Sequence, residues 1–346
     1  MGEELDGVVH AALARYPVLQ APRPLRIPGG LIHQTWRVSD GERQYVLQRL
    51  NPILSVDVHR NIEAVTSRLA ERGLETPRLC RTAGGALFAD LGGSGNCFRL
   101  MTAVPGHTAD KCPSPGHAAS AGRFVARFHS ALDDLEHDFA PLGFPFHETD
   151  RCFEQLTSAI ERHQGHPRHG DVVALAKRLQ AARSAWGPLE GIPERVVHLD
   201  LKFNNLLLDD AGRTRCLIDL DTLSRGPLWV ELGDAWRSWC NRRSEDEPEA
   251  EFDAEIFEAS AAAWLEAADL ELDRTELESL AHGIERLALE LAARFATDVL
   301  EERYFGWNPD LFESAAEHNL RRARGQLSLH EQALESRGER LRFLCG

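Results

Sequence analysis

His198-Leu199-Asp200-Leu201-Lys202-Phe203-Asn204-Asn205, followed by Ile218-Asp219-Leu220-Asp221, is the stretch on which the fold turns. Its spacing is H-x-D-x-x-x-x-N with an acidic pair downstream, the set of groups that phosphoryl transfer needs. A carboxylate must orient an acceptor hydroxyl and take its proton, a part that falls to Asp200. Hard oxygen ligands must hold Mg2+ against a nucleotide's phosphates, which points to Asn205 and Asp219. Lys202 is placed to offset charge on the transferred group. Asp221 is expected as an additional metal ligand or as support for one, and His198 as a brace for the loop backbone. Segments 206–209 and 214–218 read as a hairpin closed by Asp210-Ala211-Gly212-Arg213, which would return Asp219 to the side of Asn205. Either half of the pattern alone would pass for ordinary turn residues; the two together mark a catalytic island.

Upstream, residues 4–16 read as a helix, and the chain from Pro24 to about Thr102 is strand-like. Stretches 31–38 and 43–50 flank Ser39-Asp40-Gly41-Glu42, and Asp-Gly is a strong hairpin signal. A helix over 61–72 follows, then short strands over 78–82, 86–91 and 97–103. The run Pro28–Thr35 sits where a phosphate-covering loop belongs, with Gly29 and Gly30 allowing close backbone approach and Thr35 at its end. No lysine lies in this part of the chain, so Arg49 is the cation expected on the third strand, paired with Glu63 of the following helix. Main-chain groups of Met101, Thr102 and Ala103 are expected to bond adenine. Beyond a hinge at 101–106, helices are expected over 115–135, 150–188, 228–243, 252–269, 275–303 and 310–336. The fold class is therefore α+β, a protein-kinase-like two-lobed fold. Its small antiparallel-sheet nucleotide lobe covers 1–103, and a larger, mostly helical catalytic and acceptor lobe covers 104–346.

The 346 residues are 43% hydrophobic and 27% charged, enough for a substantial core and against wholesale disorder. A net charge of −15 disfavours a nucleic-acid partner, though local cations can still bind a nucleotide. No apolar run reaches membrane-span length, and Met1-Gly2-Glu3-Glu4 lacks the order of a secretory signal, so a cytoplasmic protein without a membrane partner is expected. Seven cysteines without a C-x-x-C pair read as free thiols. P-loop, dinucleotide-fold and zinc-protease motifs are absent. His163, His166 and His169 read as a surface turn.

The whole chain resembles the aminoglycoside phosphotransferase and choline kinase superfamily, and within it looks most like the N-acetylhexosamine 1-kinases. Four segments carry the resemblance: Tyr45–Asn51, His198–Asn205, Ile218–Thr222 with Gly233–Arg237, and the tail from Arg294 through Asp298 and Tyr304-Phe305 to Ala323. The resemblance implies ATP- and Mg2+-dependent phosphorylation of an amino sugar's anomeric hydroxyl. It maps Asp200 to the base and Asn205 and Asp219 to the metal ligands. It offers Asp234, Arg237, Arg294, Asp298 and Tyr304 for the sugar. His33 replaces an expected Asn, and Glu301-Glu302-Arg303 departs from the expected tail. The competing readings are an aminoglycoside, choline or homoserine-type kinase, a protein kinase lacking its usual D-F-G, and a pseudokinase that only binds.

Overall fold

In the computed structural model, which describes residues 2–27, 33–93, 95–143 and 146–346, the elements run as follows. They are α1 (Gly2–Leu13), β1 (Arg23–Ile27), β2 (Gln34–Asp40), β3 (Arg43–Arg49), α2 (Val58–Glu71), β4 (Ala89–Asp90), β5 (Cys97–Thr102), α3 (Pro115–Leu132), α4 (Thr149–Arg162) and α5 (His169–Ser184). After these come β6 (Arg195–Val197), β7 (Leu206–Leu208), β8 (Thr214–Leu217), β9 (Ser224–Gly226), α6 (Leu228–Trp239), α7 (Ala254–Ala267), α8 (Arg274–Leu280), α9 (Gly283–Glu301) and α10 (Ala315–Cys345). The expected Gly29 and Gly30 lie outside the described residues.

The chain divides into two units. The first comprises Met1–His107, Ala131–Phe144 and Leu207–Ser224; the second comprises Thr108–Ser130, Pro145–Leu206 and Arg225–Gly346. The sequence places a hinge over 101–106 but does not foresee that two later segments return to the first unit.

Unit 1 is built on period-two alternation. Trp36, Val38, Tyr45 and Leu47 turn inward while Arg37 and Gln44, on the opposite face, are exposed. The hairpin forms where Asp-Gly predicts it: Asp40 faces Arg43, and Gly41 takes φ 62°. The antiparallel sheet runs β1-β2-β3-β5-β4. Its inner face packs on Val9, Ala12, Leu13 and Tyr16 in and just beyond α1. Two expected strands shrink. Residues 78–82 contribute only the bridge Leu79–Met101, and 86–91 only the two residues of β4. The β7–β8 hairpin forms as expected, its turn stabilised by Asp209 Oδ1, which accepts from the amides of Ala211 and Arg213, each at 2.9 Å.

Unit 2 is mostly helical, with α9 at its centre. Leu289, Phe295 and Val299 of α9 bury against Phe153 and Leu156 of α4, Val172 and Leu179 of α5, and Leu320 and Leu327 of α10. The expected helix over 150–188 breaks at 163–168, where Gly165 and Pro167 stand. That over 275–303 breaks between α8 and α9. All seven cysteines are unpaired, and no helix among the described residues is long and apolar enough to cross a membrane.

Helices α6 and α9 cross on two glycines. A Cβ on Gly233 would lie 2.7 Å from Gly283 Cα, and one on Gly283 only 2.4 Å from Trp229 O. Backbone cannot yield as a flexible side chain can. Gly233→Ala is therefore expected to lower stability by about 1–3 kcal/mol in urea unfolding.

Candidate active site

The catalytic-loop residues lie in unit 2. Asp200 Oδ1 is 2.9 Å from Lys202 Nζ, and its Oδ2 accepts from Asn205 Nδ2 at 3.1 Å. Asn205 Nδ2 also donates to Asp200 O at 2.8 Å, which commits the amide nitrogen and leaves the amide oxygen as the hard donor. Burial pushes the Asp200 carboxyl up, but the Lys202 charge beside it, with His198 and Arg237, holds it below the ordinary carboxylate range. Burial opposes the charge on Lys202, yet Asp200, Glu245 and Asp234 raise its pKa, so it stays cationic. Asp200, Lys202 and Asn205, three of the expected groups, are thus brought together.

What holds this loop is largely invisible in the sequence. Leu199 has φ 67°, a left-handed conformation that is costly for a bulky residue. Glu231 of α6, fully buried, accepts from the amide of His198 at 2.9 Å and of Leu199 at 2.6 Å. Its carboxyl is raised by burial but brought below its usual range by His129 and these partners. His129 Nε2 lies 3.2 Å from Glu231, and Trp264 Nε1, a donor only, is 3.2 Å from His129 Nδ1. His129 is therefore the Nε2–H tautomer, donating to Glu231. Trp239 Nε1 donates to Leu201 O at 2.7 Å.

A second support comes from His147. Its Nε2 is 2.8 Å from Leu199 O and its Nδ1 3.0 Å from Glu290, which also accepts from Thr149 Oγ1 at 2.6 Å. Both neighbours of the ring are acceptors, so both ring nitrogens carry protons and His147 is an imidazolium. Burial lowers its pKa, but Glu290, Asp234 and the Leu199 carbonyl raise it above the ordinary value.

The expected acceptor residues separate into two kinds. Arg237 donates to Asp234 Oδ1 through Nη2 at 2.7 Å and Nε at 3.1 Å, and to Glu245 through Nη1 at 3.1 Å. Asp234 Oδ2 is buried without a hydrogen-bond partner. The Arg294 guanidinium lies 5.5 Å from the Phe146 ring, 5.7 Å from Tyr304 and 5.6 Å from Phe305, with Tyr304 Oη 3.3 Å from Nη2. Asp298, by contrast, accepts from the amides of Arg303, Tyr304 and Phe305 and from Asn319 Nδ2. It is 2% exposed, so its carboxylate serves the 303–305 turn, which argues against the expected contact with a sugar.

Unit 1 corrects the expected nucleotide contacts. Arg49 does not pair with Glu63. It donates to Gly95 O at 2.6 Å and to Asn96 Oδ1 at 2.9 Å, while Glu63 meets Arg81 at 2.7 Å. The amide of Ala103 is spent on Gln44 O at 3.0 Å and that of Thr102 on Arg78 O at 2.9 Å, so neither donates to adenine. Met101 lies in β5 opposite Val46, and Thr35 in β2 opposite Gln48. The buried ion pair of the unit is Arg99 with Asp221, which both guanidinium ends grip. His33 Nε2 adds a third contact at 2.9 Å. Burial raises the Asp221 carboxyl, but Arg99 and His33 drive it far below the carboxylate range. With both oxygens engaged, Asp221 is poorly suited to the expected role of additional metal ligand. Asp219 takes φ 62°, ψ 57°, a second left-handed residue at an expected functional position. Arg99 stands opposite Gln48 in the sheet, and its pairing with the distant Asp221 carries no local sequence signal.

The phosphotransferase enzyme family model matches residues 24–270. A homoserine kinase from Methylobacillus glycogenes is 23% identical over 214 residues, 62% of this chain and 63% of that protein, so the match spans less than two thirds of that relative's length. A microcompartment-associated aminopropanol kinase superposes with TM-score 0.62 at 18% identity, over 97% of this chain and 99% of that one. An amicoumacin kinase in complex with AMP-PNP, Ca2+ and Ami gives TM-score 0.57 at 13% identity, over 98% and 96%. At these identities the superpositions establish the shared α+β, protein-kinase-like fold.

Two histidines, His147 and His59, carry pH signatures of opposite sign. His147 has a folded pKa above its unfolded value of about 6.5, so its contribution is complete below that pH and lost as pH rises through the folded value. His59, lowered to about 4 by burial and then by Arg99, binds its proton only on unfolding, so stability falls as pH drops from about 6.5 toward 4. Thermal midpoints measured across pH are expected to decline on both sides of about 6.5. His147→Gln should abolish the alkaline decline and leave the acid one.

Proposed function

This chain belongs to the phosphotransferase enzyme family, and from that premise we propose that it is an ATP- and Mg2+-dependent kinase acting on a hydroxyl of a small molecule. The observation that carries the reading is the ionised Asp200 carboxylate, gripped by Lys202 at 2.9 Å and Asn205 at 3.1 Å on a loop held in strained backbone. The donor chemistry fits the cofactor: the Asn205 amide oxygen and the Asp219 carboxylate are hard oxygen ligands of the type magnesium takes. ATP supplies the phosphoryl group, and the cation neutralises its oxygens. Asp200 orients the acceptor hydroxyl and takes its proton, and Lys202 keeps a positive charge beside that carboxylate throughout.

Two acceptor classes compete. The resemblance in Tyr45–Asn51, Ile218–Thr222 and the tail favours the anomeric hydroxyl of an N-acetylhexosamine. The engagement of Asp298 by three backbone amides removes one of its supports. An amino alcohol is favoured by the unpartnered Asp234 Oδ2, a buried acceptor suited to an ammonium or hydroxyl donor. The homoserine and aminopropanol named for two similar proteins are of that class. We give the amino-alcohol class precedence. Binding without catalysis is the reading of another class.

ATP turnover against N-acetylhexosamines, amino alcohols including homoserine, aminoglycosides and choline separates these readings. Turnover is expected on amino alcohols, and Asp200→Asn should lower kcat at least about a hundredfold. An alkali-stable, acid-labile sugar phosphate would restore the sugar reading. Nucleotide binding with no turnover on any acceptor would favour the pseudokinase, and full activity in Asp200→Asn would remove the base assignment.

A further inference from the structure

Asp221 is a buried carboxylate standing two residues beyond Asp219, and three side chains hold it. Arg99 Nη1 and Nη2 each meet one of its oxygens, the latter at 2.7 Å, and Arg99 Nε donates to Gln48 Oε1 at 2.8 Å. Arg99 is 1% exposed, so its charge is balanced within the protein and not by water. His33 Nε2 reaches Asp221 Oδ2 at 2.9 Å, while the Asn51 amide, a donor only, lies 3.2 Å from His33 Nδ1. That fixes the Nε2–H tautomer, with His33 donating to Asp221.

The clamp falls at a point where the backbone needs it. Asp219 adopts left-handed φ and ψ, and a single tight turn over Leu220–Thr222 follows at once. Aspartate visits this conformation more readily than most residues other than glycine, but it holds it as a single fixed state only where its surroundings select it. Asn61 of α2 secures the far end, with Nδ2 3.3 Å from Leu223 O. Arg99 and His33 secure the middle.

We propose that Arg99 and His33 are positioning residues for the metal ligand: by gripping Asp221 they keep Asp219 in the left-handed conformation in which its carboxylate meets a nucleotide-bound cation. The proposal rests on the kinase reading above. It gives Asp221 a different task from metal ligation, because a carboxylate whose oxygens both face a guanidinium offers little charge to a cation. It also places the decisive arginine on β5 and not at Arg49 of β3. Lysine cannot reproduce a two-point grip, so even the charge-conserving Arg99→Lys should loosen the turn.

The test is Mn2+ binding in the presence of AMP-PNP, read by water-proton relaxation, for the wild type, Arg99→Lys and His33→Asn. Arg99→Lys is expected to weaken Mn2+ about tenfold or more with an unchanged far-UV spectrum, the usual effect of losing a group that orients a metal ligand. His33→Asn should shift affinity the same way by less. A folded Arg99→Lys with wild-type Mn2+ affinity, whatever its thermal midpoint, would overturn the proposal, because a purely structural clamp changes stability alone. If Arg99→Lys does not fold, His33→Asn decides by the same criterion. A wild type that binds no Mn2+ with AMP-PNP sinks the kinase reading itself.

Discussion

Glu231 sits at 0% exposure and accepts the amide hydrogens of His198 and Leu199. A leucine with φ 67° would relax to extended or helical backbone if left to itself. Two hydrogen bonds to an ionised carboxylate are stronger than neutral ones and offset that strain. The carboxylate in turn needs a donor on its remaining lone pairs, and His129, oriented by Trp264, supplies it. The bend at Leu199 sets where the following residues go. Without it, Asp200, Lys202 and Asn205 would not share one cluster, and the loop would be an ordinary connection between β6 and β7.

The same solution recurs in each unit with different proton bookkeeping. Glu231 faces His129, Asp221 faces His33 and Glu290 faces His147. In the first two pairs the second ring nitrogen accepts from an obligate donor, Trp264 Nε1 or the Asn51 amide, which leaves Nε2–H to donate to the carboxylate. In the third, the second nitrogen faces the Leu199 carbonyl, so the ring must be charged. The charged pair ties loop geometry to protonation. The partner of the far nitrogen, and not the carboxylate, decides which behaviour results.

Much of this was legible because local rules acted alone. The Asp40-Gly41 turn, the alternation of β2 and β3, and the H-x-D-x-x-x-x-N spacing depend on residues adjacent in the chain, and the structure has them where the sequence puts them. The failures involve choice among partners. Arg49 and Glu63 were the obvious pair by analogy with strand three and its helix, yet Gly95 and Asn96 take the arginine and Arg81 takes the glutamate. Ala103 lost its free amide to Gln44, a consequence of strand register that no residue type announces. The resemblance offers Asp298 to a sugar, but three consecutive backbone amides claim it. Glu231, His147 and Arg99 escaped because their partners lie far along the chain, in contacts that only the folded chain defines.

A chain of net charge −15 must create positive potential locally if polyphosphate is to bind. With three lysines in the chain, two of them outside the motif segments, almost every fixed cation is an arginine. Arginine suits that composition. Its charge survives burial, and its planar fork holds a carboxylate at two points, as Arg99 does with Asp221 and as no lysine can. The exception lies beside the candidate base. Lys202 is a compact ammonium, and Asp200, Glu245 and Asp234 raise its pKa. It therefore remains protonated beside that carboxylate. The division follows from side-chain chemistry. Flat, forked cations fix backbone geometry, and a point charge on a flexible stem stands beside the Asp200 carboxylate.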